Sequence, residues 1–211
     1  MSLVETDWLE NNKDKVKIID CSWHMPQTKR NGFEEYKTQH IPESIFFDLD
    51  DNSDKNTNLP HMLVNKNEWE KIVSKMGIKN EDMIIIYDNS DVVSSCRCWF
   101  NFIYYGHDPK LVHVLNGGLK KWLEEKRKVT NNLSKVMKSD YKSFENQELV
   151  KNKDSINQNI ETQNFRVVDA RSKERFEGKV PEPREGLKSG NIKNSVCIPS
   201  VSYTHLRAHE T

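Results

Sequence analysis

Four cysteines, Cys21, Cys96, Cys98 and Cys197, are the side chains of this 211-residue chain best suited to nucleophilic or metal chemistry. A thiol does such work where nearby positive charge or amide dipoles keep it ionised. Cys96 and Cys98 form a Cys-x-Cys pair, but no further Cys/His cluster lies nearby to complete a zinc site. They read as packing residues on a helix. Cys21 follows a strand-like run and Cys197 lies between Val196 and Ile198, so both read as packed. His205 and His209 have the spacing of helical metal ligands, but they fall in 201–211, which lacks the Asn and Lys frequent elsewhere. The string Ser202 to Thr211 back-translates into a common sequencing-library adapter, so 201–211 is read as a non-native read-through tail. No metal or other cofactor is expected. His40 and His107 read as histidines fixed by hydrogen bonds in turns, and Trp23 and Trp122 as core or domain-interface residues.

The elements that must position any site alternate in type. Val16–Asp20, Ser44–Asp48, Met83–Asp88 and Lys110–Leu115 are predicted strands. The solid apolar run in the third suits a strand buried on both faces. Helical spacing runs through Asn67–Met76, with Trp69, Ile72, Val73 and Met76 on one face, and helices are also predicted over Ser94–Tyr105 and Leu119–Glu125. Such alternation predicts an α/β domain with a parallel sheet. From Thr130 to Asn164 the chain turns to Lys, Asn, Ser and Gln and reads as a solvated connector, with a short helix near Asn146–Val150.

After the connector the opening pattern returns. Phe165-Arg166-Val167-Val168-Asp169 repeats the strand that ends at Asp20, and Gly190-Asn191-Ile192 echoes Gln39-His40-Ile41-Pro42. Asp20 to His40 is 20 residues and Asp169 to Asn191 is 22. The organisation expected is one complete domain over 1–130, a linker over 131–163, and the start of a second, truncated copy over 164–200.

Motif by motif, the chain resembles tandem-domain rhodanese-like sulfurtransferases. The first half matches their non-catalytic domain through Asp20-Cys21-Ser22-Trp23, His40-Ile41-Pro42, Phe46-Phe47-Asp48-Leu49-Asp50, Leu59-Pro60-His61-Met62-Leu63, Tyr87-Asp88, Gly106-His107 and Leu115-Asn116-Gly117-Gly118-Leu119 with Trp122. The second half matches the start of their catalytic domain through Val168-Asp169-Ala170-Arg171-Ser172, Arg175-Phe176-Glu177-Gly178 and Pro181-Glu182-Pro183-Arg184-Glu185-Gly186. The resemblance implies a doubly wound parallel sheet in each domain. It implies transfer of sulfur from 3-mercaptopyruvate or thiosulfate to a thiol or cyanide acceptor, thioredoxin among the candidates, through a cysteine persulfide. It assigns Arg175 and Arg184 to the acid group of the donor, a task for which a guanidinium fork suits a carboxylate as Lys does not. Arg in Glu-Pro-Arg tilts the donor toward 3-mercaptopyruvate. Asp50 and His61 correspond to first-domain residues of a proton-relay network. The nucleophilic cysteine itself is not expected in this chain. Its first-domain position is held by Asp88, 68 residues after Asp20, and the same step from Asp169 reaches position 237. Where the family has Gly-His-Ile-Pro-Gly-Ala, this chain has Gly190-Asn191-Ile192-Lys193-Asn194-Ser195, a looser turn in which Asn191 can still bond.

Composition narrows the alternatives. Thirty-two basic residues balance 32 acidic ones, so a dedicated nucleic-acid binder is not expected. The longest apolar stretches are far short of the ~20 residues that span a bilayer, so no membrane partner is expected. Glu5, Asp7 and Glu10 make the N-terminus unlike a secretory or transit peptide. The cytoplasm is the expected compartment, with the mitochondrion as alternative. The competing reading is a non-catalytic rhodanese-like module that binds partners or anionic ligands.

Overall fold

The structure is a computed structural model describing residues 3–183 and 186–200. In chain order its regular elements are β1 (Leu3–Val4), α1 (Thr6–Asn12), β2 (Lys17–Asp20), α2 (Gly32–Thr38), β3 (Ile45–Phe46), α3 (Lys66–Lys75), β4 (Ile84–Tyr87), α4 (Ser95–Tyr104), β5 (Val112–Leu115), α5 (Gly118–Glu124), α6 (Lys153–Thr162), β6 (Val168–Asp169), α7 (Lys173–Phe176) and β7 (Val196–Cys197). They divide into two compact units between Leu149 and Val150.

Four consecutive bulky side chains leave β4 no face to turn to water. Ile84, Ile85, Ile86 and Tyr87 are all fully buried, and β4 lies in the middle of a five-stranded sheet of order β1-β5-β4-β2-β3, in which every pairing is parallel. Because side chains alternate across a strand, β4 feeds two cores. Ile84 and Ile86 pack with Trp69 of α3 and with Cys98 and Phe102 of α4. Ile85 and Tyr87 pack with Leu9 of α1, with Ile41, and with Leu119 and Trp122 of α5. This is the α/β, doubly wound arrangement expected of the first half.

Local signals explain the helices that build these layers. Asn65 caps α3 by accepting from the Glu68 amide at 3.0 Å. The helix stops at Gly77, whose φ of +65° and close approach to the Met137 carbonyl leave no room for a Cβ. Gly32 starts α2 for a similar reason, since a Cβ there would stand 2.0 Å from the Ser22 carbonyl oxygen.

The stretch read as a solvated connector is more ordered than its composition suggests. Tyr141 is fully buried and stacks on His107 at 5.8 Å, which tethers the segment to the first unit. Asn152 caps α6 through the Ser155 amide, a helix the polar sequence concealed. Near Asn146–Val150 a single turn forms over Gln147–Leu149.

In the second unit β6 and β7 form a parallel pair with Asp169 opposite Cys197, as Asp20 stands opposite Phe46 in the first. The local bond is also repeated. Asp20 Oδ1 accepts the Ser22 amide and Asp169 Oδ1 accepts the Arg171 amide, each at 2.9 Å. Asn191 does bond in its turn, donating to the Phe176 carbonyl at 3.0 Å. Cys197 is only half buried, not packed away as its apolar neighbours suggested.

Asp20 carries a pH signature. Burial pushes its carboxyl up to about 6. A carboxyl raised on folding holds its proton in the native state while the unfolded chain releases it, so its contribution falls as pH rises from about 4 through about 6. A shift of this size corresponds to on the order of 3 kcal/mol. Asp20→Asn is therefore expected to gain stability relative to the parent chain between pH 5 and pH 7.5. Urea denaturation at the two pH values checks this, and an unchanged difference would remove the assignment.

Candidate functional site

In open parallel sheets ligands gather beyond the carboxyl ends of the strands where the winding direction reverses. Here that point lies between β2 and β4, because the chain leaves β2 toward β3 and leaves β4 toward β5. Two segments meet there, Cys21 to Trp23 after β2 and Asp88 to Ser94 after β4. They are laced together. Ser94 Oγ donates to the Cys21 carbonyl at 2.5 Å, the Trp23 amide donates to Ser94 Oγ at 3.1 Å, and the Asn89 amide donates to Ser22 Oγ at 2.8 Å.

Asp88 sits where the strand hands over to the loop, and it is buried. Its Oδ1 accepts the Ser90 amide at 3.0 Å and its Oδ2 accepts the Ser95 amide, at the start of α4, at 2.7 Å. These are the amides that would stabilise an anion at this position. A carboxylate occupies them, and a carboxylate is no sulfur nucleophile. The cysteines nearby do not substitute for one. Cys21 is buried, its thiol pushed well up by desolvation, and its Sγ donates to the Ser94 carbonyl at 3.7 Å. Cys98 lies in the core, and partial desolvation pushes the Cys96 thiol up.

Asp50 and His61 come together. His61 Nε2 lies 2.9 Å from Asp50 Oδ1. The other carboxylate oxygen, Oδ2, accepts the Trp23 indole N–H at 2.9 Å, and the Trp23 and His61 rings meet edge to face at 4.8 Å. His61 has a φ of +55°, in the left-handed region, and its carbonyl accepts from Arg97 Nη2. Trp23 and Arg97 are thus part of the arrangement. Sequence reasoning missed Arg97 altogether, and it read Trp23 only as a core or interface residue. Trp23, His61 and Arg97 line a cavity of about 400 Å³ together with Leu49, Pro60, Met62 and the loop residues Val92 to Ser94.

In the second unit Arg175 is held by a carboxylate of its own chain. Its Nη2 pairs with Glu182 Oε2, and its Nε donates to Glu182 Oε1 at 3.3 Å. Arg171 joins from the other side, with Nη1 2.5 Å from Glu182 Oε1 and Nη2 2.5 Å from Asp169 Oδ2. Glu182 is nearly covered, and the Arg175 guanidinium holds its carboxyl below the usual range. Arg184 lies outside the described residues, as do His205 and His209. His40 and His107 are fixed as expected. The His40 ring nitrogens lie 2.6 Å from the Tyr36 carbonyl and 3.2 Å from the Asn132 carbonyl, and those of His107 lie 3.2 Å from the Tyr141 hydroxyl and 2.9 Å from the Asp82 carbonyl.

The parallel sheet agrees with comparison to known proteins. A family model described as the rhodanese-like domain matches residues 5–125. The chain belongs to the rhodanese family. It is 37% identical over 220 residues to thiosulfate/3-mercaptopyruvate sulfurtransferase 1, mitochondrial, of Arabidopsis thaliana, covering 93% of this chain and 58% of that protein. It is 31% identical to the 3-mercaptopyruvate sulfurtransferase of Mus musculus, covering 96% of this chain and 70% of that one. Among solved structures, SseA of Escherichia coli, described as a 3-mercaptopyruvate sulfotransferase with the rhodanese fold, superposes with a TM-score of 0.84 at 27% identity, over 94% of this chain and 75% of SseA. The chain spans about three-fifths of the length of the Arabidopsis relatives, 58% of one and 64% of the other. No helix among the described residues is long and apolar enough to cross a membrane.

Removing Asp88 should leave two loop amides without an acceptor. An unsatisfied buried donor costs roughly 1–3 kcal/mol, so Asp88→Ala should lower the unfolding free energy by about that amount and Asp88→Asn by clearly less. Urea denaturation of the three chains checks this, and equal stability would show that the carboxylate does not organise the loop.

Proposed function

We propose that the protein to which this chain belongs is a sulfurtransferase that moves sulfur from 3-mercaptopyruvate, or from thiosulfate, to a thiol or cyanide acceptor. The observation that carries this reading is the repeat of the β2 geometry in the second unit, where Asp169 makes the Asp20 bond and the Asp20 strand pairing. A repeat of β2 calls for a repeat of β4 and its loop. The nucleophilic cysteine is proposed for that loop, near position 237, 68 residues after Asp169 as Asp88 is after Asp20. The chemistry is then simple. The thiolate attacks the sulfur of 3-mercaptopyruvate, the carbon–sulfur bond breaks, and its electron pair leaves with the pyruvate enolate, which takes up a proton; with thiosulfate the sulfur–sulfur bond breaks and sulfite leaves with the pair. The resulting persulfide gives its outer sulfur to the acceptor thiolate, or to cyanide, and the enzyme thiolate is regenerated. Small thiols, thioredoxin and cyanide are the proposed acceptors.

Arg175 and Arg184 are proposed to hold the donor carboxylate. Arg175 Nη1 makes no bond to Glu182 and would supply one prong, while Glu182 keeps the guanidinium in place. Asp50 and His61 are proposed as a proton-handling pair, which suits an imidazole whose ring nitrogen already faces a carboxylate. The cytoplasm remains the proposed compartment, with the mitochondrion as alternative, the location named for one Arabidopsis relative. One observation favours a second reading, a non-catalytic binding module. The anion position of the first unit is filled by its own Asp88.

The test is the coding sequence beyond Ser200 and the activity of its product. The sulfurtransferase reading expects a cysteine in a strand-to-helix loop near position 237, and loss of turnover when it is changed to Ser. Arg175→Lys should raise KM for 3-mercaptopyruvate about tenfold with kcat largely kept, the pattern of lost ground-state binding. A Ser, Asp or Gly in that loop would favour the binding module instead.

A further inference from the structure

Met137 is 89% exposed, the most of any large apolar side chain among the described residues, and Leu133 and Val136 just before it are exposed too. Single exposed apolar residues are ordinary, but a group of them on a fixed segment marks a contact surface. This segment is fixed at both ends. Thr130 exchanges backbone hydrogen bonds with His40 at 2.8 and 2.9 Å. Beyond Met137 the Ser139 amide donates to the Ser74 carbonyl at 2.9 Å, Ser139 Oγ donates to the Ile78 carbonyl at 2.5 Å, and the Tyr141 amide donates to Ser74 Oγ at 3.0 Å. Between these anchors, Leu133 to Lys138 form no helix or strand, and none of their backbone groups makes a hydrogen bond within the described residues. Their amides and carbonyls are open to an incoming chain.

Ser134 to Ser139 form one wall of a cavity of about 610 Å³. Lys17 at the start of β2, Ile45 at the start of β3 and Lys79 ahead of β4 also line it. It therefore lies at the amino end of the first sheet, the end opposite the Asp88 loop. Lys17, Lys79, Lys135 and Lys138 all line it, and none of the four is in an ion pair among the described residues. Lys142, a few residues along the same segment, does pair, with Asp140 at 2.9 Å. The acidic residues of the lining are Asp14 and Glu43, so positive charge is in excess. Free cations, apolar side chains and open backbone groups together match a peptide that alternates carboxylates with apolar residues. A lipid surface fits less well. It has no amides to pair with the open backbone, and Asp14 and Glu43 would face its uniform negative charge.

We infer that the amino end of the first sheet is a docking surface for an acidic, extended segment of a partner protein. Its carboxylates would meet Lys17, Lys79, Lys135 and Lys138, and its apolar side chains Val136 and Met137. The surface belongs to the first unit and does not depend on sulfur transfer. Its failure would leave that reading untouched, and the absence of a cysteine near position 237 would leave this one untouched.

The test titrates the 211-residue chain with a short fluorescein-labelled peptide of alternating Asp and Val, read by anisotropy, and follows backbone amides of the ¹⁵N-labelled chain by NMR. Saturable binding is expected, with shifts at Leu133 to Lys138 and at Lys79. The same peptide with Asn for Asp should bind about tenfold more weakly, and added salt should weaken the acidic peptide, as exposed charge pairs require. Reversing two of the lysines, Lys135→Glu with Lys138→Glu, should also cost about tenfold, the sum of a few exposed charge contacts. Met137→Ser, which leaves every charge in place, should weaken binding severalfold through lost apolar contact alone. Circular dichroism checks that both variants fold, and if the double reversal does not, the Asp and Asn peptides on the parent chain decide. No saturable binding, equal binding of the Asn peptide, undiminished binding by the folded double variant, or shifts confined to other residues would overturn the proposal. So would co-sedimentation with phosphatidylserine vesicles that depends on Lys135 and Lys138 while the peptide fails to bind, because the surface would then be a lipid contact. Shifts at Leu133 to Lys138 that follow protein concentration without peptide would mean that a second copy covers the face, and would overturn it too.

Discussion

A buried negative charge at the carboxyl end of the central strand organises the first unit. The amides of Ser90 and Ser95 converge there, and the Asp88 carboxylate satisfies both. The loop that carries them is tied to the end of β2 by the Ser94 and Ser22 hydroxyls. The same arrangement that would hold a thiolate ready for sulfur is, in this unit, spent on structure. To one side of it Trp23, Asp50, His61 and Arg97 meet.

The side-chain arrangement at that edge follows from the sheet. β2 delivers Trp23, and α4 begins only after the β4 loop has turned, which brings Arg97 under the His61 carbonyl. Asp50 is mostly exposed, yet both of its oxygens are engaged. Surface ion pairs are individually weak, so the order of this group rests on the indole bond, the ring contact and the arginine below rather than on one pair of charges. In the second unit the acidic partners are on the other side of the balance. Glu182 lies between two arginines and fixes both.

Much of this was legible in the sequence where a single physical signal was strong. The run Ile84 to Tyr87 suits a doubly buried strand, and the Trp69, Val73 and Met76 spacing suits a helix with one buried face, as both are in the structure. The Asp20 and Asp169 repeats were visible because the strand pattern and the following turn recur together. Shorter or more polar elements were not. β1 has two residues, too few for periodicity to register. The helix α6 is written in Asn, Ser and Gln, and its anchor is a buried amide, Asn159, which exchanges bonds with the Phe165 backbone at 2.8 and 3.0 Å. Tyr141 is one apolar residue in a polar stretch, and only the stacked His107 shows why it is buried. Arg97 had no motif at all. Its setting depends on a left-handed turn at His61, 36 residues away, which no local pattern encodes.

The most direct test of the claim that the first unit's anion position is filled by Asp88, and not by a sulfur nucleophile, is peptide mass mapping of the folded 211-residue chain after exposure to thiosulfate and to 3-mercaptopyruvate. The predicted result is no added sulfur atom on the peptides carrying Cys21, Cys96, Cys98 or Cys197, and, when cyanide or a reducing thiol is then added, no thiocyanate or sulfide above that of a chain with all four cysteines replaced. A persulfide that forms on any of the four and turns over with an acceptor would contradict it.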